Sequence, residues 1–414
     1  MARLWTPLHA KFHQVLRSRH LAFKGQRILV AVSGGQDSLC LMQLLLDLQP
    51  KWQWDLAIAH CNHGWRSDAN ANADYVQALA HQWNIPYFEH KYGHQYDHGD
   101  VQNHERISPM PVPPESITTE AGARAWRYRM LTTTAIAHRY DLLMTGHTAS
   151  DRAETLLYNL MRGSGADGLQ ALTWQRSLQG EDSSVKLVRP LLFMARSETG
   201  AFCQSQNLTP WFDTTNDDWR YARNRIRQDL LPYLQEHFNP RVEQTLAQTA
   251  EILQADVAYL EHATEELWNA AVVSMDEPET KEPEMDRLKM KGSGMKEPEK
   301  QGEQGAQSNI PRGVKQSYAP ETIQPTSSRT AAQRVTQNPT IVLDRPMLAS
   351  APLALQRRVM RRCLLTLLPK APNFDQIEKL TVLITAPNRS QTDPFPGGAI
   401  ARVDGRFMIV GNDV

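Results

Sequence analysis

Residues 28–38 read Ile-Leu-Val-Ala-Val-Ser-Gly-Gly-Gln-Asp-Ser, and Leu39-Cys40-Leu41-Met42 and Leu44-Leu45-Leu46 follow closely. The apolar, β-branched run predicts a buried parallel strand, the paired glycines a tight turn, and the leucine-rich stretch a buried helix. Such a turn leaves backbone N–H groups and the positive end of a helix dipole facing outward, where an anion can sit. Gly34 and Gly35 let the backbone approach a phosphate closely, while Ser33 and Ser38 add hydroxyl donors. The Gly-Lys-Ser/Thr ending of a Walker A loop, with its phosphate lysine, is absent. Asp37 instead puts a carboxylate beside the phosphates, which suits a bridging magnesium ion. A turn that merely capped a helix would need neither the two serines nor the aspartate.

This loop resembles the Ser-Gly-Gly-x-Asp-Ser pyrophosphate loop of the PP-loop ATPases. The resemblance implies that ATP is cleaved between its α- and β-phosphates. A carbonyl-type oxygen is then activated as its adenylate, and a nitrogen or sulfur nucleophile displaces AMP. The loop alone leaves tRNA modification, amidotransferase synthetases and NAD synthesis open.

At 414 residues the chain predicts two or three units. Lys+Arg and Asp+Glu are each 45, so any basic surface must be local. No apolar run approaches bilayer length and Met1 to Leu16 lacks a signal-peptide core, so a cytoplasmic protein without a membrane partner is expected. Cys40, Cys61, Cys203 and Cys363 stand singly, with neither disulfide-framework nor metal-ligand spacing. Thiolating PP-loop enzymes that use an iron–sulfur cluster need Cys-x-x-Cys pairs, so sulfur transfer is disfavoured.

Strand-like runs at 27–32, 54–60, 85–90, 140–145 and 187–192 alternate with helical patterns at 38–48, 68–83, 120–138 and 151–161. That alternation predicts an α/β fold, a doubly wound parallel sheet whose ligands bind at the carboxyl ends of its strands. Residues 93–118 interrupt it with a His-, Pro- and Ser-rich loop, in which His94, His98 and His104 read as solvated. The expected organisation is a catalytic domain at 1–218, a helical region at 219–274, a disordered linker at 275–338 and a small basic module at 339–414. Lys-Glu-Pro-Glu, repeated at 281–284 and 296–299, belongs to a composition that cannot bury a core.

The polar blocks follow the strands. His60-Cys61-Asn62-His63-Gly64-Trp65-Arg66 ends the second strand, where a nucleotide-binding sheet meets adenosine. Arg124 and Arg127 lie three apart on one helix face, suited to charge stabilisation in adenylyl transfer. His147, Asp151 and Glu154 repeat at four and three residues, so they project from one side of a starting helix. A histidine and two carboxylates clustered there are costly unless used for metal, phosphate or proton transfer.

In order, these blocks and Arg-Gly-Ser-Gly-x-x-Gly-Leu at 162–169, Arg-Pro-Leu-Leu at 189–192 and Asp-Thr-Thr-Asn at 213–216 with Tyr-Ala-Arg-Asn-Arg-Ile-Arg at 221–227 resemble the tRNA(Ile)-lysidine synthetases. The match covers roughly the first 240 residues. One departure is visible: the family usually shows His-His-x-Asp-Asp-Gln, and here His147-Thr148-Ala149-Ser150-Asp151-Arg152 stands. The resemblance implies a fold like that of the PP-loop and adenine nucleotide hydrolases, with ATP and magnesium as cofactors. It implies adenylation of the wobble cytidine of a CAU anticodon in tRNA(Ile), then attack by the ε-amine of free L-lysine. The product is lysidine, and decoding changes from AUG to AUA.

On this reading Ser33, Gly34, Gly35, Gln36, Asp37 and Ser38 bind ATP, and His60, Asn62, His63 and Arg66 form the adenosine loop. Asp37 and Asp151 hold magnesium, Arg127 and His147 offset developing charge, and Glu154 is a candidate for the lysine ammonium. Arg220, Arg223 and Arg227 form one helical stripe available to tRNA phosphates. Arg357, Arg358, Arg361 and Arg362 form another on the final module, whose residues 341–414 carry ten basic and six acidic side chains, a net of +4. Oligomeric state is left open, a homodimer included.

Overall fold

The computed structural model describes residues 5–92, 119–178, 185–212, 219–220, 222–276 and 339–412. The expected loop histidines His94, His98 and His104 and the Asp213–Asn216 motif lie outside them, as does the linker expected at 275–338 apart from Met275 and Asp276, which end a strand instead. The chain forms two compact units, Met1–Leu260 and Glu261–Val414.

In the first unit, α1 (Pro7–Ser18) precedes β1 (Arg27–Ala31), α2 (Gln36–Trp52), β2 (Asp55–Asn62), α3 (Ala69–Trp83) and β3 (Tyr87–Lys91). Then come α4 (Glu120–Ala137), β4 (Leu142–Thr145), α5 (Ala149–Met161), the short α6 (Ala166–Leu169), β5 (Gln175–Ser177), β6 (Lys186–Val188) and α7 (Arg196–Ser205). The strands form one sheet in the order β3-β2-β1-β4-β6-β5. All its pairings are parallel except that of β5 with β6.

Alternation along the strands splits the core in two. Ile28, Val30, Leu56, Ile58, Leu142 and Met144 share a cluster with residues of α1, α2 and α3. Leu29, Ala57, Ala59, Leu143 and Leu187 pack with Leu131 and Ala135 of α4 in another. Helices therefore cover both faces, as the continuous apolar runs require. The strand expected at 187–192 is shorter than its apolar run. Pro190 has no N–H to donate, and residues 190–193 form a turn.

After α7 the chain enters α8 (Ala222–Arg225), a π-helical turn (Ile226–Leu230), α9 (Leu231–His237) and the long α10 (Val242–Ala271). The two compact units divide within α10, at Leu260/Glu261. Beyond Ala271 the residues are β-branched, Val272-Val273, and the chain becomes strand β7 (Val272–Asp276).

The second unit is a four-stranded antiparallel sheet, in the order β7-β8-β10-β9, with the end of α10 and, among the described residues, three further helices. Its elements are β8 (Thr340–Asp344), α11 (Arg345–Ser350), α12 (Leu353–Leu367), α13 (Phe374–Val382), β9 (Ile400–Asp404) and β10 (Phe407–Gly411). Inward residues Ile341, Leu343, Ala401, Val403, Met408 and Val410 pack against Val359, Met360, Cys363, Leu364 and Leu367 of α12. Among the described residues no helix is long and apolar enough to cross a membrane.

Candidate active site

β1 and β4 are adjacent, with Ala31 paired to Thr145. From β1 the chain moves on to β2 and from β4 to β6, on opposite sides, so a crevice opens at their carboxyl ends. The Ser33–Ser38 loop follows β1, and Gly146-His147 follows β4. A Cβ on Gly146 would stand 2.7 Å from the Asp37 carbonyl oxygen, so only glycine lets the two turns close up. Gly34, at φ +86°, is in the left-handed region, and its carbonyl accepts from Trp211 N–H at 2.9 Å.

Within the loop the serines hold each other. Ser38 Oγ donates to Gly35 O (2.9 Å) and accepts from Ser33 N–H (3.2 Å). Gln36 turns its side chain away to α7, where Nε2 donates to Arg196 O at 2.8 Å and to Thr199 Oγ1 at 3.1 Å. Its side chain is therefore committed to α7, and Gln36 does not line the pocket.

The carboxylates converge. Asp37, Asp151 and Glu154 line one pocket together with Thr145, His147, Arg127, Arg223 and Arg227. Arg196, the first residue of α7, reaches all three acids. Its Nε is 3.2 Å from Asp37 Oδ2, Nη2 is 2.9 Å from Asp151 Oδ1, and Nη1 is 3.4 Å from Glu154 Oε1. Thr199 Oγ1 also donates to Asp37 Oδ1. Arg227 grips Glu154 with two bonds, Nε to Oε1 at 2.7 Å and Nη2 to Oε2 at 2.9 Å. It sits in the π-helical turn, whose extra residue is a common device at functional sites.

These contacts set the electrostatics. Burial pushes Asp37 up against the opposing pull of Arg196, and burial likewise raises Glu154 despite Arg227. Burial pushes Asp151 up too, but Arg196, His147 and the Thr148 donors prevail and hold it below the usual carboxylate range. Burial drives His147 down, to about 3, so its imidazole is neutral. His147 Nδ1 is hydrogen-bonded to Thr145 Oγ1 at 2.8 Å.

All four residues of the expected adenosine loop, His60, Asn62, His63 and Arg66, line the pocket. His60 is buried, its Nδ1 2.8 Å from Val32 O. Asn62 is buried and spans its own loop, accepting from Gly64 N–H at 3.0 Å and donating to Asn70 at 3.1 Å. His63 Nε2 accepts from Arg127 Nε at 3.3 Å. Arg66 donates through Nε to Asp68 Oδ1 at 2.7 Å, and with Trp211 it holds the Asp68 carboxyl down near 2.

The Thr148, Ser150 and Arg152 positions, where the family pattern is broken, face away from the pocket. Thr148 caps α5, exchanging bonds with Asp151. Ser150 Oγ donates to Glu243 at 2.5 Å. Arg152 is 2 % exposed and donates to Leu172 O (2.7 Å) and Glu251 (2.7 Å), while Trp174 Nε1 donates to the same Glu251 oxygen. The substituted positions thus bolt α5 to the first part of α10.

The arginine stripes divide as well. Arg220 is exposed in the turn before α8, and Arg223 and Arg227 line the pocket, so the three do not form one outer stripe. On α12, Arg357 pairs with Glu378 through two bonds of 2.6 and 3.0 Å, Arg358 with Glu261, and Arg362 with Glu265. Arg361 is half-buried on the same helix. Sequence reasoning missed Arg196 and Thr199.

A phosphate loop on a parallel sheet, facing converged acids at the switch point, defines a PP-loop nucleotide-dependent enzyme, and the PP-loop domain family matches residues 5–234. The TilS substrate binding domain family matches residues 343–407. A tRNA(Ile)-lysidine synthase of Nostoc sp. is 49 % identical over 99 % of this chain and 98 % of its own length. That of Synechocystis sp. is 43 % identical over 98 % and 97 %. The chain belongs to the tRNA(Ile)-lysidine synthase family.

Proposed function

We propose that this pocket joins free L-lysine to the wobble cytidine of the CAU anticodon of tRNA(Ile) through an adenylated cytidine. The overall reaction is the family's: an ATP-dependent carbon–nitrogen ligation that forms lysidine on tRNA(Ile). In the first step the cytidine carbonyl oxygen attacks the α-phosphorus, and pyrophosphate leaves with the electron pair of the broken P–O bond. In the second, the lysine amine attacks the activated carbon, loses a proton, and AMP departs. Decoding then changes from AUG to AUA.

One observation carries the reading: Asp37, from one block of sequence, and His147, Asp151 and Glu154, from another, meet in one pocket at the sheet's switch point. The amides of Gly34 to Ser38, at the start of α2, face where a departing pyrophosphate is held. Arg127 and the neutral imidazole of His147 offset charge on the α-phosphate and the cytidine oxygen. Glu154, pushed up by burial and already gripped by Arg227, is the candidate for receiving the lysine ammonium.

Magnesium fits the donors present. Asp37 and Asp151 both reach one cationic group, within 3.2 and 2.9 Å of Arg196, and offer only hard oxygen ligands. No cluster of three metal-ligating side chains occurs among the described residues, so phosphate oxygens and water would complete the shell. When bound, the ion neutralises phosphate charge.

The tRNA contacts are assigned to Arg220 and to the α12 arginines. Their glutamate partners are no obstacle: exposed ion pairs contribute only about 0–1 kcal/mol, so RNA phosphates can replace them. A cytoplasmic setting without a membrane partner suits such a substrate.

The purified protein, given ATP, labelled lysine and tRNA(Ile) with a CAU anticodon, should incorporate lysine and release AMP and pyrophosphate. Asp37→Ala should lower incorporation by about a hundredfold or more. Incorporation unaffected by that change would overturn the site assignment.

A further inference from the structure

We propose that Arg196 is a positioning residue that fixes the two magnesium-binding carboxylates from behind and keeps the free cation out until nucleotide arrives. The inference rests on the magnesium reading above. Three acids and two arginines form the cluster: Asp37, Asp151 and Glu154 against Arg196 and Arg227, −3 + 2, a net of −1. Without Arg196 the sum is −3 + 1, or −2, in a mostly buried place.

Arg196 is not part of the pocket wall, whereas all three of its acids are. It approaches them from the first residue of α7. Its backbone is pinned: its N–H donates to Ser150 Oγ at 3.0 Å, and its carbonyl accepts from Gln36 Nε2 at 2.8 Å. The guanidinium therefore takes one lone pair from each carboxylate and leaves others for a cation in front. This is how outer groups orient metal ligands. Two effects oppose each other when Arg196 is removed. Lost orientation weakens a metal site by about tenfold to a hundredfold. Removing a positive charge that touches both ligands strengthens attraction for a divalent ion, and at contact distance inside a protein this second effect is the larger.

The test uses the full chain with Arg196→Met, and follows melting temperature and binding of a non-hydrolysable ATP analogue across a magnesium titration. Wild type should bind the analogue only with magnesium, and magnesium alone should leave its melting temperature unchanged. Arg196→Met should melt earlier, regain stability with magnesium alone, and need about tenfold less magnesium to bind the analogue. Its kcat should fall about tenfold or more at saturating magnesium and ATP, because the carboxylates are no longer oriented. Arg196→Lys, which keeps the charge but cannot bridge three acids, should fold like wild type. It should lose kcat with little change in magnesium midpoint, and it carries the test if the methionine variant does not fold. A magnesium midpoint unchanged in Arg196→Met, or full kcat in Arg196→Lys, overturns the role of Arg196. Analogue binding by wild type that ignores magnesium overturns the magnesium reading, and this inference with it.

Discussion

Gly146 joins two pieces of machinery that are far apart in sequence. Its missing side chain is what allows the turn after β4 to lie against the Asp37 carbonyl, 2.7 Å from where a Cβ would be. The neighbour is backbone at the start of a buried helix, so it cannot move aside as a side-chain tip could. Gly146→Ala should therefore cost about 1–3 kcal/mol in chemical denaturation and displace Asp37 from His147. Lysine incorporation should fall more steeply than stability. An alanine variant with normal activity would show that the turns can separate freely. Residues of this kind were legible in the sequence only where chemistry is local. The glycines and Asp37 announce a phosphate loop within eleven residues, and His147, Asp151 and Glu154 declare a shared face by their spacing. Arg196 did not, because an isolated arginine carries no mark of the three acids it will meet.

At the scale of elements, α5 has two employments. One side presents Asp151 and Glu154 to the pocket, and another gives Ser150 and Arg152 to Glu243 and Glu251 of α10. Glu251 serves Arg152, Trp174 and Arg19 together, and these contacts pull its carboxyl below the usual range despite partial burial. Glu251→Ala strands a buried guanidinium and should cost about 3–5 kcal/mol. Glu251→Gln, which keeps hydrogen bonding, should cost less, and equal losses would show that charge is irrelevant there. The periodicities that predict α2, α4, α5 and the β1–β4 strands all arise from burial on known faces. β5 and α7 escaped because β5 is a three-residue, exposed edge strand and α7 is short and mostly polar. The pairing of α12 arginines with glutamates was invisible for another reason: Arg358 and Glu261 are brought together only by tertiary structure.

Across the whole molecule, acid should weaken the fold. His60 is buried and His90 and His147 are half-buried, and desolvation pushes each down from its usual 6.5, His90 to about 4. Between pH 6.5 and 4 the unfolded chain takes up protons that the folded one refuses, so stability falls as pH falls. Asp37 and Glu154, pushed up by burial, act in the opposite sense in the carboxylate range, where the folded state takes protons first. His90→Gln can keep a hydrogen bond to Thr134 while removing one titration. Its stability should decline across that range with a slope smaller by about one proton, measured by denaturant melts at several pH values. An unchanged slope would exclude His90 as a source.

The pairing of Ile28 with Leu142, and the hold of Arg196 and Thr199 on Asp37, also bear on how the protein is made. A ribosome delivers the phosphate loop early, but β4 and α7 emerge long afterwards. Until then β1 has a free edge beside a strongly apolar helix, and contacts of such separation form slowly. Nucleotide therefore cannot serve as an early template for folding. It can only reward a chain whose first two hundred residues have already found one another.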